Sequence, residues 1–338
     1  MKKNILLIIV LCLVSLTGCI SLPQAPVPGL HPVSLQLQWI PQAQFAGYYV
    51  ALEKGWYRQE GLGLTIKPGG PEITVVDEIA AGNSDFGTTF LADLSTAIEK
   101  GQSVLSIAQV QQMNGLLLIA KSSSGIKRPG DLLGKRIGIW GSSWEAQLNA
   151  LLAREGISQE NIQILPQGLD MQPFLRGDLD VASAMVYNEY HQVLEAGMKL
   201  QDLNIIDYVL YGMGFPGDTL FTNRLLATEN PDLCVRMLRA SLRGWQYAID
   251  NPKEAVDIVL KYDKSGQATR LHQLSMMREI SRLVKVSWRE IGYTDQTAVQ
   301  QMVDTLLRYG VLKVRLRPGA IYTNQFWEQV KNSSPAAQ

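Results

Sequence analysis

The chain has 338 residues, of which 46% are apolar or aromatic and 18% are charged, and its 31 basic side chains balance 31 acidic ones. A balanced charge without a block of Lys and Arg is not typical of nucleic-acid-binding proteins, so no nucleic-acid partner is expected. About 300 residues follow the N-terminal segment, which is enough for two lobes with a sizeable core.

The first 18 residues are predicted to be a lipoprotein signal peptide. Lys2 and Lys3 precede an apolar run over residues 5–16, which is shorter than the ~20 residues that a membrane-spanning helix needs. The run ends in "LTGC", which resembles a lipobox and implies that Cys19 carries the lipid; an ordinary signal peptide with a chance cysteine is the alternative. The protein is therefore expected at the cell membrane, lipid-anchored and facing the extracytoplasmic side.

Residues 19–32 are predicted to form a flexible tether between the anchor and the folded protein. The stretch "ISLPQAPVPGLHP" has four Pro and no charged side chain other than a possible charge on His31, a composition that favours an extended, solvated chain. Order is expected to begin near Val33, and the last residues, 332–338, are expected to fray. The lipid anchor is the only predicted contact with a membrane.

Little in the sequence suggests metal or covalent chemistry. Cys234 is the one cysteine outside the signal peptide and lipobox, and its helical run predicts a small buried hydrophobe. His31 lies in the tether, His191 in the middle of a helix and His272 in a surface-like helix. No zinc-ligand or nucleophile-elbow motif is present, so we predict no metal site, no cofactor and no enzyme activity.

The remaining chain alternates short strands with amphipathic helices. The strand "SLQLQWI" precedes a helix "AGYYVALEKGWYRQEGL" that should end near Gly61, and "LTIKPGG", "ITVVDEIAAG", "DFGTTF", "LADLSTAIEKG" and "VLSIAQV" continue the alternation. A second unit around "RIGI" and "VASAMVY" repeats it, and from Pro231 onward the pattern is helical. The fold class is therefore α/β, with mainly parallel sheets, two lobes and a helical C-terminal third.

Ligands of open α/β sheets bind at the carboxyl ends of the strands, so the residues that directly follow strands are the site candidates. Asp93 among them is suited to cap a helix, and Gln111 also follows a strand. The predicted ligand-binding set is Trp39, Gln42, Gln44, Phe45, Tyr48, Thr88, Thr89, Gln112, Asn114, Trp140, Tyr187, Asn188, Glu189 and Asp218.

These candidates share aromatic faces and neutral hydrogen-bonding groups, with two acids and neither Lys nor Arg. That chemistry favours a planar ligand with a polar edge and no strong negative charge. Several alternatives stay open. Trp39 suits core and pocket equally, Tyr187 and Asn188 can simply start a helix, and the acids Glu189 and Asp218 can form an acid–base pair in an exported enzyme.

The helical aromatics are a separate group. Tyr49, Leu52 and Trp56 recur at helical spacing and are predicted to be core. Trp144, one turn inside its helix, is expected in the core or at a hinge.

The stretches "QWIPQAQFAGYYVALEKGWYRQEGL", "AAGNSDFGTT", "SSGIKRPGDLLGKRIGI" and "GDLDVASAMVYNEYH" resemble the solute-binding proteins grouped with thiamine-pyrimidine synthase, a type II periplasmic-binding-protein family. The resemblance implies two lobes joined by two crossovers that close on a ligand for an ABC permease and its ATPase. It implies a discontinuous lobe 1, residues 33–120 plus 221–331, a lobe 2 over residues 121–220, and hinges near 121–125 and 215–222. A monomer is expected.

Within this family, "WIPQAQFAGYYVALEKGWY", "MVYNEY" and "GFPGDTLF" are most similar to the riboflavin-binding lipoproteins. This implies that riboflavin, or a close flavin, is the transported ligand rather than a cofactor, with its ring stacked on aromatic side chains. A formylaminopyrimidine precursor of thiamine is the alternative ligand. The synthases of the family use a His and a Cys-rich cluster, whereas this chain has Gln44 in the first turn and no such cluster.

Overall fold

The computed structural model describes residues 29–140, 145–266, 268–287 and 289–333. The predicted signal peptide, Cys19, most of the tether, Trp144 and nearly all of the predicted frayed tail lie outside the described residues. His31 and Pro32, which the sequence suggested for the tether, are part of the first strand, because the His31 backbone N–H donates to the Gly61 carbonyl (2.8 Å) at the start of a parallel pair.

The first sheet has five strands in the order β2-β1-β3-β10-β4. β1 runs parallel to β2 and β3, whereas β10 is antiparallel to both of its neighbours. Four strands therefore point the same way, as the strand–helix alternation predicted. The strands are β1 His31–Gln36, β2 Leu62–Lys67, β3 Phe86–Phe90, β4 Val104–Gln109 and β10 Asp218–Asn223.

The second sheet repeats this plan in the order β7-β6-β8-β5-β9. β6 is parallel to β7 and β8, and β5 is the antiparallel member, paired with β8 and β9. In each sheet the antiparallel strand is the one that arrives from the other sheet. The strands are β5 Leu116–Lys121, β6 Arg136–Ile139, β7 Gln163–Pro166, β8 Val181–Met185 and β9 Leu203–Asp207.

The chain crosses between the sheets twice, and both crossings come earlier than the predicted lobe division. β5 was assigned to lobe 1 but lies in the second sheet, and β10 begins at Asp218, before the predicted boundary at 220. The crossings are residues 110–115 and 212–217 instead of 121–125 and 215–222. An apolar run such as "LLLIAK" predicts a buried strand but does not indicate which sheet it joins.

Fourteen helices cover the sheets in the described residues. Seven lie in the first two-thirds of the chain: α1 Ala46–Glu53, α2 Trp56–Gln59, α3 Val75–Ala80, α4 Leu91–Glu99, α5 Ala146–Arg154, α6 Gln172–Arg176 and α7 Glu189–Glu195. The other seven form the predicted helical third: α8 Arg224–Glu229, α9 Pro231–Asp250, α10 Pro252–Leu260, α11 Arg270–Val284, α12 Gln296–Arg308, α13 Pro318–Ile321 and α14 Gln325–Ser333. Below, the first lobe is the first sheet with α1–α4 and α8–α14, and the second lobe is the second sheet with α5–α7.

The predicted long helix after β1 is two helices. α1 ends at Glu53, and Gly55 has φ +72°, a left-handed conformation that glycine adopts without steric cost, so the chain turns before α2 begins. The apolar spacing continues across the break, which is why periodicity alone predicted one helix. Tyr49 and Trp56 are buried, in agreement with their predicted core positions.

α1 and α9 pack with their backbones in close approach at two glycines. A Cβ atom on Gly244 would lie 2.0 Å from the Gly47 carbonyl oxygen, and one on Gly47 would lie 2.3 Å from the Trp245 ring. Cys234, also on α9, is buried as predicted, and burial raises the pKa of its thiol to about 12. Among the described helices, none combines the length and apolarity that crossing a bilayer requires.

Candidate functional site

The ends of strands from both sheets meet around a small inner cavity between the lobes. Its volume is about 10 Å³, roughly the space of a single water molecule. Half of the predicted site residues line it, joined by Met185. The lining is Trp39, Gln42 and Gln44 from the turn after β1, and Trp140, Met185, Tyr187, Asn188 and Glu189 from the second lobe.

Two tryptophans close the inner cavity from opposite lobes. Trp39 follows β1 and Trp140 follows β6, and their ring centroids are 5.9 Å apart at an interplanar angle of 71°. This is the edge-to-face arrangement that aromatic pairs prefer, and both side chains are buried. The first lobe and the second lobe are therefore in direct contact through this pair of rings.

Asp218 is the acceptor at the centre of a glutamine cluster in the first lobe. Its two carboxyl oxygens accept hydrogen bonds from Gln38 Nε2 (2.5 Å) and Gln44 Nε2 (2.8 Å), and Gln42 Nε2 donates to Gln44 Oε1 (2.7 Å). Burial raises the pKa of the Asp218 carboxyl to about 7, although the two amides that donate to it act in the opposite direction. The cluster orients the amides of Gln42 and Gln44 at the cavity wall.

Glu189 is the corresponding acid of the second lobe. Its carboxyl oxygens accept from the Met185 backbone N–H (2.9 Å) and from Asn188 Nδ2 (2.6 Å). Burial raises its pKa to about 7 as well, and these hydrogen bonds oppose the rise. Burial also raises the pKa of Tyr187 far above its ordinary value, with smaller contributions from Asp218 and Glu189. Tyr187 is therefore close enough to both acids for their charges to act on its hydroxyl.

The other predicted site residues are buried close to the cavity without lining it. Thr88 Oγ1 accepts from the Gln38 backbone N–H (3.0 Å) and fixes the turn after β1. Tyr48 packs edge-on against Trp245 in the core. The members of this group are Phe45, Tyr48, Thr88, Thr89, Gln112, Asn114 and Asp218.

Gln112 and Asn114 hold the first crossing between the lobes. Gln112 Nε2 donates to the Gln109 and Tyr293 carbonyls (2.8 and 3.0 Å). Asn114 Nδ2 donates to Gln147 Oε1 (3.0 Å), a residue of α5 in the second lobe. Both side chains support the connection between the lobes.

Gln111 is a buried polar residue outside the predicted ligand-binding set. Its side chain faces the Tyr187 hydroxyl, but within the described chain neither of its amide atoms has a geometrically well-formed hydrogen bond. Leaving a buried amide unsatisfied costs about 1–3 kcal/mol per group. Its place directly after β4 could have identified it, since it stands in the same strand-end stretch as Gln112.

Asp93 does not cap its own helix as expected. It lies in the first turn of α4, and its Oδ1 accepts from the Ala146 backbone N–H of α5 across the lobes (3.4 Å). Burial raises the pKa of its carboxyl to about 8.

An open outer groove of about 1250 Å³ leads from the inner cavity to solvent. It shares Trp39, Gln42 and Asn188 with the cavity and is lined by both lobes. Its charged side chains are mainly acidic. They are the acids Glu53, Asp170, Glu195 and Asp263, and the bases Arg58 and Lys264.

A second large concavity, about 970 Å³, lies on the outer face of the first lobe between α2, α9 and α14. Its cations are engaged within the protein: Arg239 pairs with Glu60 at 2.6 Å, and Lys331 pairs with Glu290. This concavity is built by one lobe, and its cations are bound to the protein's own side chains. The cleft between the lobes, which consists of the inner cavity and the outer groove, is therefore the stronger candidate site. In the described ranges, no three His, Cys, Asp or Glu side chains are close enough together to hold a metal ion.

Comparison with protein-family models matches residues 42–255 to the family described as "NMT1/THI5 like". The riboflavin-binding protein RibY of Chloroflexus aurantiacus is 28% identical over 96% of this chain and 98% of its own length. The formylaminopyrimidine-binding protein of Halalkalibacterium halodurans is 24% identical over 77% of this chain and 79% of its own. A 4-amino-5-hydroxymethyl-2-methylpyrimidine phosphate synthase of Legionella pneumophila is 25% identical over 77% and 84%.

Two solved structures with the same fold are titled as ligand-binding proteins. The ligand-binding component of an ABC-type import system from Staphylococcus aureus superposes with a TM-score of 0.67 at 11% identity, covering 90% of this chain and 100% of that one. The alkanesulfonate-binding protein SsuA of Xanthomonas axonopodis pv. citri superposes with a TM-score of 0.63 at 16% identity, covering 88% and 99%. The expected periplasmic-binding-protein fold is confirmed.

Proposed function

We propose that this chain, which belongs to the NMT1/THI5-like family, is the substrate-binding component of an ABC importer and that riboflavin, or a close flavin, is its ligand. The observation that carries the proposal is the inner cavity, where Trp39 and Trp140 approach each other from opposite lobes among uncharged amides and the acid Glu189. The similarity to RibY along almost the whole chain supports the same ligand.

The chemistry of the cavity suits an isoalloxazine ring. The ring would enter between Trp39 and Trp140 and replace their edge-to-face contact with stacking on both faces. Its uracil-like edge offers an N–H donor and carbonyl acceptors, which match the carboxyl of Glu189 and the amides of Gln44 and Gln111. The ribityl hydroxyls would extend into the outer groove.

Binding of a flavin requires the lobes to separate first. Cavities that bind such ligands are about 300–1,000 Å³, whereas the inner cavity is about 10 Å³. The only two chain connections between the sheets in the described residues are 110–115 and 212–217, which makes them the hinge. The lobes would open about these segments, capture the ligand and close on it, which is a hinge mechanism.

The delivery apparatus is also part of the proposal. Lipidation at Cys19, with a tether up to the first strand, would hold a monomeric receptor at the extracytoplasmic side of the cell membrane. An ABC permease and its ATPase would receive the ligand. The tether and anchor keep the receptor near the permease, which raises its local concentration there.

A formylaminopyrimidine is the second candidate ligand, favoured by the relative from Halalkalibacterium halodurans. Its planar ring would occupy the same aromatic pair but would leave the outer groove unfilled. An exported enzyme acting through Glu189 and Asp218 is the alternative of another class. Both carboxyls accept hydrogen bonds from the protein's own side chains and backbone, an arrangement that supports a binding role.

The test is a titration of riboflavin with the protein lacking its signal peptide and Cys19, followed by flavin fluorescence. Saturable quenching of the flavin fluorescence at one-to-one stoichiometry is expected, because stacking on tryptophan quenches the fluorescence of the isoalloxazine ring. Unquenched riboflavin fluorescence together with binding of the formylaminopyrimidine in a calorimetric titration would reassign the ligand. Conversion of either compound to a product would establish an enzyme and overturn the binding role.

A further inference from the structure

His272 spans the cleft between the lobes. The sequence placed it on a surface-like helix, but it is buried at 8% exposure in the first turn of α11, and its ring meets α7 of the second lobe. The ring contacts Glu195 and Asn188, both of which face the outer groove. Asn188 also lines the inner cavity. A first-lobe side chain thus contacts the wall of the ligand site directly.

Both ring nitrogens of His272 face oxygen atoms. Nδ1 lies 3.0 and 3.1 Å from the two carboxyl oxygens of Glu195, and Nε2 lies 2.9 Å from Asn188 Oδ1. A neutral imidazole carries one N–H and can satisfy only one of these contacts, leaving a lone pair facing an oxygen on the other side. The imidazolium donates to both.

The orientation of the Asn188 amide is fixed from the other side. Its Nδ2 donates to Glu189 Oε1 (2.6 Å), and its Oδ1 also accepts from Gln192 Nε2 (3.2 Å). Asn188 Oδ1 must therefore accept from the His272 ring. The result is a chain of hydrogen bonds that runs from Glu195 through His272 and Asn188 to Glu189 in the inner cavity.

We propose that His272 is a positioning residue for the ligand site: in the closed protein, its ring bridges Glu195 and Asn188 and holds the Asn188 amide in the orientation that presents Glu189 to the ligand. The bridge forms only when the lobes are together, so it favours the closed form. Ligand affinity therefore depends on the His272 ring. This rests on the proposed function as far as the ligand is concerned.

Other charges near the bridge set its strength. Glu195 ends α7, where the helix dipole also favours a cation, whereas the first turn of α11 opposes one. His191 stands one turn earlier on α7, where burial lowers its pKa, with Glu279 and Arg278 of α11 acting on it in opposite directions. The loop between α10 and α11 contributes two further charged side chains to the outer groove, Asp263 and Lys264.

The experiment measures riboflavin affinity for the wild type, for His272→Gln and for His191→Gln as the matched control on the facing helix. The wild type is expected to bind about tenfold more tightly than His272→Gln, the effect of one hydrogen bond to a charged group. His191→Gln should follow the wild type. Glu195→Gln should resemble His272→Gln.

Wild-type affinity in His272→Gln, or an equal loss of affinity in His191→Gln, would overturn the proposal. A second readout separates it from the choice of ligand. Small-angle scattering of the protein without ligand should give a smaller radius of gyration for the wild type than for His272→Gln. If riboflavin fails to bind, that comparison alone decides, and equal radii reject the bridge.

Discussion

The buried carboxyl of Asp218 makes a prediction about stability as well as binding. In Asp218→Asn the charge is removed, while the amide can keep both neighbours: it accepts from one glutamine and donates to the other once the Gln42–Gln44 amide pair reverses its direction. The cost of this rearrangement is about 1 kcal/mol, the size of one neutral hydrogen bond. The main effect of the substitution is therefore on the pH dependence of unfolding.

The direction of this pH dependence follows from the pKa of the Asp218 carboxyl in the folded protein. Burial raises the pKa of Asp218 to about 7, above the value near 4 of an unfolded carboxyl, so the folded protein binds the extra proton between these values. The contribution of Asp218 to the free energy of unfolding therefore falls as pH rises from about 4 to about 7 and is constant above. Two decades of pH between 5 and 7 correspond to about 3 kcal/mol at about 1.4 kcal/mol each.

The assay is urea unfolding of the wild type and Asp218→Asn at pH 5 and pH 8. Between these values the wild type should lose about 3 kcal/mol more than the variant, which leaves the variant more stable at pH 8. Asp178→Asn, at an exposed carboxylate paired with Arg176, is the control and should show the wild-type dependence. Equal pH dependence in Asp218→Asn and the wild type would refute the reasoning.

Three further predictions concern other parts of the molecule. Trp39→Ala should weaken riboflavin binding by about 1–3 kcal/mol because one stacking face is lost, and unchanged affinity in a fluorescence titration would remove Trp39 from the site. Flavin mononucleotide should bind at least about tenfold more weakly than riboflavin in the same titration, since its phosphate meets a mainly acidic groove; equal affinity would contradict this. Gly47→Ala should lower the free energy of unfolding by about 1–3 kcal/mol or more because its Cβ overlaps the Trp245 ring, whereas Gly70→Ala, with open space around it, should not; equal midpoints would refute the close approach.

The sequence predicts much of the candidate site because strand ends are readable in a chain of this class. Trp39, Trp140 and Tyr187 are far apart along the chain, yet each follows a parallel strand, and ligands of open α/β sheets bind at the carboxyl ends of such strands. The split between core and cavity also follows: helical periodicity places Tyr49 and Trp56 in the core, where the structure has them. These inferences need only local pattern and a rule of topology.

What the sequence does not reveal depends on contacts between distant segments. His272 has an ordinary helical context, and only the approach of α7 buries it against Glu195. The membership of β5 in the second sheet is equally invisible, since its apolar residues suit either sheet. Gln38 is one of the polar positions in the alternating pattern of "SLQLQWI". Its role as a donor to Asp218 appears only when β10 returns to the first sheet.

The proposed function requires a flat ligand to bind between the tryptophans of the two lobes. A crystal structure of the protein grown with riboflavin tests this most directly. Electron density for the isoalloxazine ring is expected between Trp39 and Trp140, with its polar edge toward Glu189 and the ribityl chain in the outer groove. Density for the ring in the concavity between α2, α9 and α14, with Trp39 and Trp140 still in contact, would contradict it.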